Sequence, residues 1–322
     1  MALTFQFPGP IVRTTVQPIR SGEIMHLTDA RGIDVAIGTP GTQAALKDSS
    51  RSASDESHLA GDDGGMRNMS CDFKELFGEI VGKGSQATVY AKGEYAVKLY
   101  RDGYPKRNVF SEAYIMANLE LVNFPGPRVY EILHVNGRYG LRMDRVKGEM
   151  MLEACRDPAR CKDTLDVLVD LQCRLQKYDK VGWLPDLKQR FHDDLVRNDR
   201  LSADLKKSLL GILSGLPDGE ALCHCDFHAG NVFFDGAEYT IIDLLQICRG
   251  DPAADAACSY AAYNFMDREL AEYYLSRYCD KSGIAAKSVR QWLTVYAGTL
   301  LGQVPEQFTP IIERFLAGDY RP

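Results

Sequence analysis

The stretch His224-Cys225-Asp226-Phe227-His228-Ala229-Gly230-Asn231, followed by Ile241-Ile242-Asp243, decides how this chain is read. Val232-Phe233-Phe234, the turn signal Asp235-Gly236 and Tyr239-Thr240-Ile241-Ile242 read as a β-hairpin, which brings Asp243 back beside Asn231. Mg²⁺ takes a few hard oxygen ligands in near-octahedral geometry and fills the rest of its shell with water and phosphate oxygens. One amide oxygen and one carboxylate can suffice, and Asn231 and Asp243 are residues of those two types. Taken alone, the segment is equally compatible with a polar surface loop that ends in a strand-end carboxylate.

An upstream half would remove that ambiguity, and Ile80-Val81-Gly82-Lys83-Gly84-Ser85-Gln86-Ala87-Thr88-Val89-Tyr90 has the composition for one. Glycines let backbone N–H groups approach phosphate oxygens that a Cβ would hold off, which makes Gly82, Gly84 and Ser85 candidates for nucleotide binding. An ordinary hairpin turn is the alternative for this segment. After a turn at Lys92-Gly93, alternation along Tyr95-Ala96-Val97-Lys98-Leu99-Tyr100 puts Lys98 on the face opposite Val97 and Leu99. Downstream, Val109-Phe110-Ser111-Glu112-Ala113-Tyr114-Ile115-Met116-Ala117-Asn118-Leu119 has apolar positions that suit a helix, and that helix would carry Glu112. By default, a strand lysine and a helix glutamate are solvated charges; four elements in one order argue otherwise.

Together these segments resemble the aminoglycoside phosphotransferase and choline kinase group of small-molecule kinases over roughly residues 72 to 322. His224 to Asn231, Ile242-Asp243 and Gly250-Asp251-Pro252-Ala253-Ala254-Asp255 resemble that group's H-G-D-x-H-x-x-N, I-D and G-D-P-x-x-D runs. The resemblance implies an α+β, bilobal protein kinase-like fold, with a small antiparallel β-sheet N-lobe and a larger, mainly helical C-lobe. It also implies that Asp226 is catalytic and positions an acceptor hydroxyl, that Asn231 and Asp243 hold Mg²⁺, and that Lys98, paired with Glu112, steadies the phosphates of ATP or GTP. Backbone near Met143 to Val146 is the implied receiver of the nucleotide base, and Asp255 is implied to be a buried brace of the catalytic loop. Two positions depart from the pattern. Cys225 stands where the group has glycine, so a Cβ restricts that turn, and Ala87 replaces the third glycine of the phosphate loop.

Protein kinases carry a regulatory segment and an A-P-E anchor after the metal-binding Asp, and neither lies between Leu244 and Asp255. A small hydroxylated acceptor is therefore expected: an aminoglycoside, a choline-like alcohol, a sugar or an amino-acid alcohol. A nucleotide-binding pseudokinase or scaffold is the alternative, with a protein kinase after it.

Composition agrees with an enzyme of this kind. The chain has 322 residues, of which 45% are hydrophobic and 25% charged, enough to bury a large core. A formal charge of −6 gives no global basic field for nucleic acid, no run reaches the roughly 18 apolar residues of a membrane span, and no obligate protein partner is called for. Nine cysteines without CxxC spacing fit reduced thiols and a cytoplasmic protein better than a disulfide framework. The expected organisation is an N-terminal extension and flexible linker over 1–70, a kinase-like N-lobe over 71–146 and a helical C-lobe with the catalytic loop over 147–322. Within the first part, Ser49 to Gly65 has a linker's composition and residues 10–38 hold enough apolar runs for a strand or two. A natural start at Met66 or Met69 is a further expectation. Helices are expected near 201–214, 267–279 and 286–301, with Leu165, Leu168, Leu171 and Leu175 along one buried face.

Overall fold

The computed structural model describes residues 71–178 and 180–320, together with four short strands at 6–7, 14–15, 25–28 and 34–37. The linker over 49–65 and the alternative starts at Met66 and Met69 lie outside the described residues. In the N-terminal part, Met25–Thr28 pairs antiparallel with Asp34–Ile37. The chain divides into two compact units, one of Met1–Ala113 with Val129–Arg145 and one of Tyr114–Arg128 with Val146–Pro322.

The first unit is built on an antiparallel sheet in the order Thr14–Thr15, Val129–Val135, Arg138–Asp144, Tyr95–Tyr100, Ala87–Lys92, Glu79–Lys83. Its turns follow the residues that permit them. Asn136 and Gly137 both take positive φ, 48° and 77°, as a two-residue hairpin of Asn-Gly type demands. Strand alternation then separates two faces. Tyr90, Val97, Leu99, Leu133 and Val135 join Phe73 in one apolar cluster, against which Leu76, Phe77 and Ile80 pack. Lys98 and Tyr100 leave the opposite face, opposite Val89 and Ala87 in register. The helix Lys106–Glu120 follows and carries Glu112.

The second unit is mainly helical, with helices at Pro158–Leu175, Leu187–Arg197, Ala203–Gly215, Pro252–Met266, Arg268–Ser282 and Ala286–Leu300. Leu165, Leu168, Leu171 and Leu175 are all buried on the first of these. Pro252–Met266 is alanine-rich and buried on nearly every side, which lets its neighbours approach closely. Its start is fixed by Asp251, whose side chain accepts from Ala253 N–H, and by Pro252 in the first turn. Two small antiparallel pairings carry the motif residues: Ala221–Cys223 with Cys248–Gly250, and Val232–Phe234 with Tyr239–Ile241. Among the described residues no helix is long and apolar enough to cross a membrane.

Candidate active site

Gly82, Gly84, Ser85, Lys98 and Glu112 belong to the first unit, and Asp226, Asn231 and Asp243 to the second. In the first, Lys98 Nζ donates to Glu112 Oε1 at 2.6 Å, with both side chains largely withdrawn from solvent. Gly82 lies at a bulge of the Glu79–Lys83 strand, and Gly84 N–H donates to Ala87 O at 2.9 Å, closing the turn that exposes Ser85. Neither glycine takes a positive φ, and a Cβ on either would come no nearer than 3.6 Å to its neighbours. The fold itself therefore does not require glycine at these two positions.

In the second unit the hairpin sets the polar groups. Val232 pairs with Ile241, and Ile242 N–H donates to Asn231 O at 2.9 Å, so Asp243 follows directly on the strand that returns to Asn231. The amide nitrogen of Asn231 donates to Asp226 O at 2.9 Å and to Asp226 Oδ2 at 3.1 Å. That fixes the side chain, and its carbonyl oxygen receives no hydrogen bond among the described residues. A held amide with an uncommitted oxygen, next to an exposed carboxylate at Asp243, suits a hard cation. No group of three or more His, Cys, Asp and Glu side chains arranged to hold a metal exists among the described residues.

Both histidines serve the loop. His228 Nδ1 accepts Gly230 N–H at 3.0 Å, which caps the short turn Ala229–Asn231, and its Nε2 lies 3.5 Å from Asp226 Oδ1. His224 is buried, with Nε2 3.1 Å from Ile242 O, tying the front of the loop to the strand that delivers Asp243.

Cys225 takes φ +64°, a conformation that favours glycine. Its N–H donates to Asp255 Oδ1 at 2.8 Å, and the other oxygen of Asp255 accepts from Gln172 Nε2 at 2.8 Å and Gln176 Nε2 at 2.9 Å. Burial, then the nearby Cys225 side chain, raises the Asp255 carboxyl, while these N–H donors pull it the other way. Cys248, Cys258 and the Arg190 guanidinium adjoin the Cys225 thiol, and Arg190 Nη1 donates to Cys248 Sγ at 3.0 Å and Gln246 O at 2.5 Å. Burial alone would raise the Cys225 thiol, but hydrogen bonds from Cys248 and Cys258 and the Arg190 guanidinium outweigh it and hold the thiol well below the usual range. Cys155, Cys161, Cys173, Cys223, Cys225, Cys248, Cys258 and Cys279 are free thiols.

The left-handed turn gives a stability test. Cys225→Gly should be more stable than Cys225→Ala by about 1 kcal/mol, because alanine keeps the left-handed penalty and both variants lose the thiol. Thermal unfolding of the two variants checks the order, which is the reverse of that at an ordinary helix or strand position.

Residues 79–292 match the model of the phosphotransferase enzyme family. The chain belongs to that family. It is accordingly a phosphotransferase, and its fold is the kinase-like one. No curated protein sequence matches the chain. Among solved structures it is similar to the amicoumacin kinase hAmiN, captured with AMP-PNP, Ca2+ and Ami, at TM-score 0.56 and 13% identity over 76% of this chain and 88% of the other. It is similar to choline kinase LicA from Streptococcus pneumoniae at TM-score 0.55 and 14% identity over 76% and 96%. A third is an aminoglycoside-3'-phosphotransferase of type VIII, at TM-score 0.51 and 19% identity over 69% and 91%.

Within this family member the sequence reading passed over Tyr100, whose hydroxyl donates to Glu112 Oε2 at 2.5 Å, and over Gln172 and Gln176. Tyr100 was findable, since it shares the strand face of Lys98; the two glutamines gave no local signal.

Proposed function

We propose that this phosphotransferase moves the γ-phosphoryl group of ATP, with GTP as the alternative donor, to a hydroxyl of a small metabolite or aminoglycoside-like acceptor. The observation that carries the reading is the joined set Asp226–Asn231–Asp243, in which the Asn231 nitrogen is spent on Asp226 and the hairpin bond from Ile242 N–H brings Asp243 alongside. Asp226 orients the acceptor hydroxyl and takes up its proton at the carboxylate as transfer proceeds. Asn231 and Asp243 hold Mg²⁺, which when bound supplies charge neutralisation for the phosphate oxygens. Lys98, fixed by Glu112, contacts the phosphates, and Gly82, Gly84 and Ser85 offer backbone N–H groups to them. The two glycines that the fold does not itself need support that last assignment. The kinase hAmiN, which shares the fold, was captured with a nucleotide analogue and a divalent cation, a pairing that fits this chain's two groups of residues.

The eight-residue step from Asp243 to the helix cap Asp251 favours a small acceptor over a peptide. It is filled by the turn Leu244–Gln246 and the strand Cys248–Gly250, which pairs with Ala221–Cys223, and holds no platform segment. The test is phosphoryl transfer from ATP or GTP to pooled aminoglycosides, amino alcohols, sugars and hydroxy amino acids, read by mass spectrometry with and without Mg²⁺. A phosphorylated product that disappears with EDTA is expected. Nucleotide binding without any product would make the chain a nucleotide-binding scaffold, and product found only on added protein would make it a protein kinase.

A further inference from the structure

The Lys98–Glu112 pair is held from a second side. Tyr100 follows Lys98 by two residues on the strand Tyr95–Tyr100, so both side chains leave the same face. Its hydroxyl takes Glu112 Oε2 at 2.5 Å while Lys98 takes Oε1 at 2.6 Å. Tyr100 is fully buried and Glu112 only 2% exposed, so the carboxylate has both oxygens engaged by charge-assisted bonds and cannot turn without breaking two of them. A phenylalanine would fill the same space in the strand. The hydroxyl is what orients Glu112.

The contacts continue outward. The Tyr100 ring stacks on Tyr104 with centroids 4.7 Å apart and planes 16° from parallel, and the Tyr104 hydroxyl donates to Gln86 Oε1 at 2.7 Å. Gln86 sits in the turn beside Gly84 and Ser85, and its carbonyl accepts Arg101 N–H at 2.8 Å. A single run of contacts therefore leads from the glycine turn through Tyr104, Tyr100 and Glu112 to the Lys98 ammonium, all inside the first unit.

We propose that Tyr100 and Tyr104 are positioning residues for the nucleotide triphosphate: Tyr100 locks Glu112 so that Lys98 is presented at one place, and Tyr104 ties the glycine turn to the same anchor. This deepens the proposed function and rests on its assignment of Lys98 and the glycine turn to the phosphates. The brace makes the two phosphate-binding parts rigid together, so ligand binding loses less side-chain entropy than it would with a free lysine and a free turn.

The test measures Mg-ATP binding by calorimetry, and the KM values of donor and acceptor, in wild type, Tyr100→Phe, Tyr104→Phe and Gln86→Leu. Tyr100→Phe should weaken Mg-ATP about tenfold, the factor carried by one hydrogen bond to a charged group, with the acceptor KM unchanged. In a Glu112→Gln background the same change should add almost nothing, because its effect passes through the carboxylate. Tyr104→Phe should weaken Mg-ATP about threefold and be non-additive with Gln86→Leu; this solvent-side cycle keeps the test alive where Tyr100→Phe folds poorly. Unchanged Mg-ATP affinity in folded Tyr100→Phe or Tyr104→Phe, or full additivity in either cycle, overturns the proposal. A wild-type protein that binds no Mg-ATP overturns the proposed function along with it, and that baseline separates the two failures.

Discussion

Asp226→Asn should lower kcat by about 10³-fold while the affinity for Mg-ATP stays within about twofold of wild type. The asparagine keeps the size and one oxygen of the carboxylate, so the Asn231 amide can still be held, but it cannot take the proton of the acceptor hydroxyl. Asp226 is only partly covered, with 38% of its side chain exposed, which leaves its carboxylate accessible to a small molecule. Its partners confine the loss to chemistry: His228 caps the turn through Gly230 N–H, and His224 stays bonded to Ile242 O whatever occupies position 226. Steady-state rates together with calorimetric nucleotide binding check this. A kcat within tenfold of wild type would remove Asp226 from the chemistry and leave it a loop residue. A parallel loss of nucleotide affinity would show that the change had disturbed the Asn231–Asp243 side instead.

The second large effect falls on a residue that touches no substrate. Asp255→Ala should destabilise the protein by about 3–4 kcal/mol, because three buried N–H donors, from Cys225, Gln172 and Gln176, lose their acceptor at once and each orphaned donor costs roughly 1–3 kcal/mol. For a unit of this size that is a drop in Tm of about 10 °C. Asp255 is 1% exposed, so water cannot readily stand in for the carboxylate. Activity should fall as well, since the Cys225 N–H bond to Asp255 is the link between the helix Pro252–Met266 and the residue before Asp226. The outer part of the network, in which Tyr274 donates to Gln172 Oε1 at 2.6 Å and Tyr278 to Gln176 Oε1 at 2.9 Å, keeps the two glutamines aimed at the vacated position. Calorimetric unfolding of wild type and variant measures the effect. A change in Tm below about 3 °C would mean that the network tolerates an empty acceptor and that Asp255 is not the brace.

The parts of this protein legible before folding were those whose partners lie close in the chain or obey a fixed period. The hairpin Val232–Phe234 with Tyr239–Ile241, the Asn136-Gly137 turn, the leucine face of Pro158–Leu175 and the cap at Asp251 and Pro252 all follow from local rules. The Lys98–Glu112 pair was readable through the family resemblance, which implies a helix glutamate for the strand lysine; alternation by itself fixed only the face of Lys98. The conformation of Cys225 was half readable: its place in the motif marked a turn that suits glycine, but the φ of +64° and the thiols beside it belong to the folded chain.

By itself the sequence determined the order of the motif elements, the kinds of side chain at 98, 112, 226, 231 and 243, and membership of the phosphotransferase family. Tertiary structure alone decided how those groups are held: Asp255 by Gln172 and Gln176 across 83 and 79 residues, and the glycine turn by Tyr104 through a single glutamine. The physical reason is that period and propensity act over a few residues, whereas a buried polar group takes whichever donor or acceptor the packed core brings to it, however far away in the chain that partner lies.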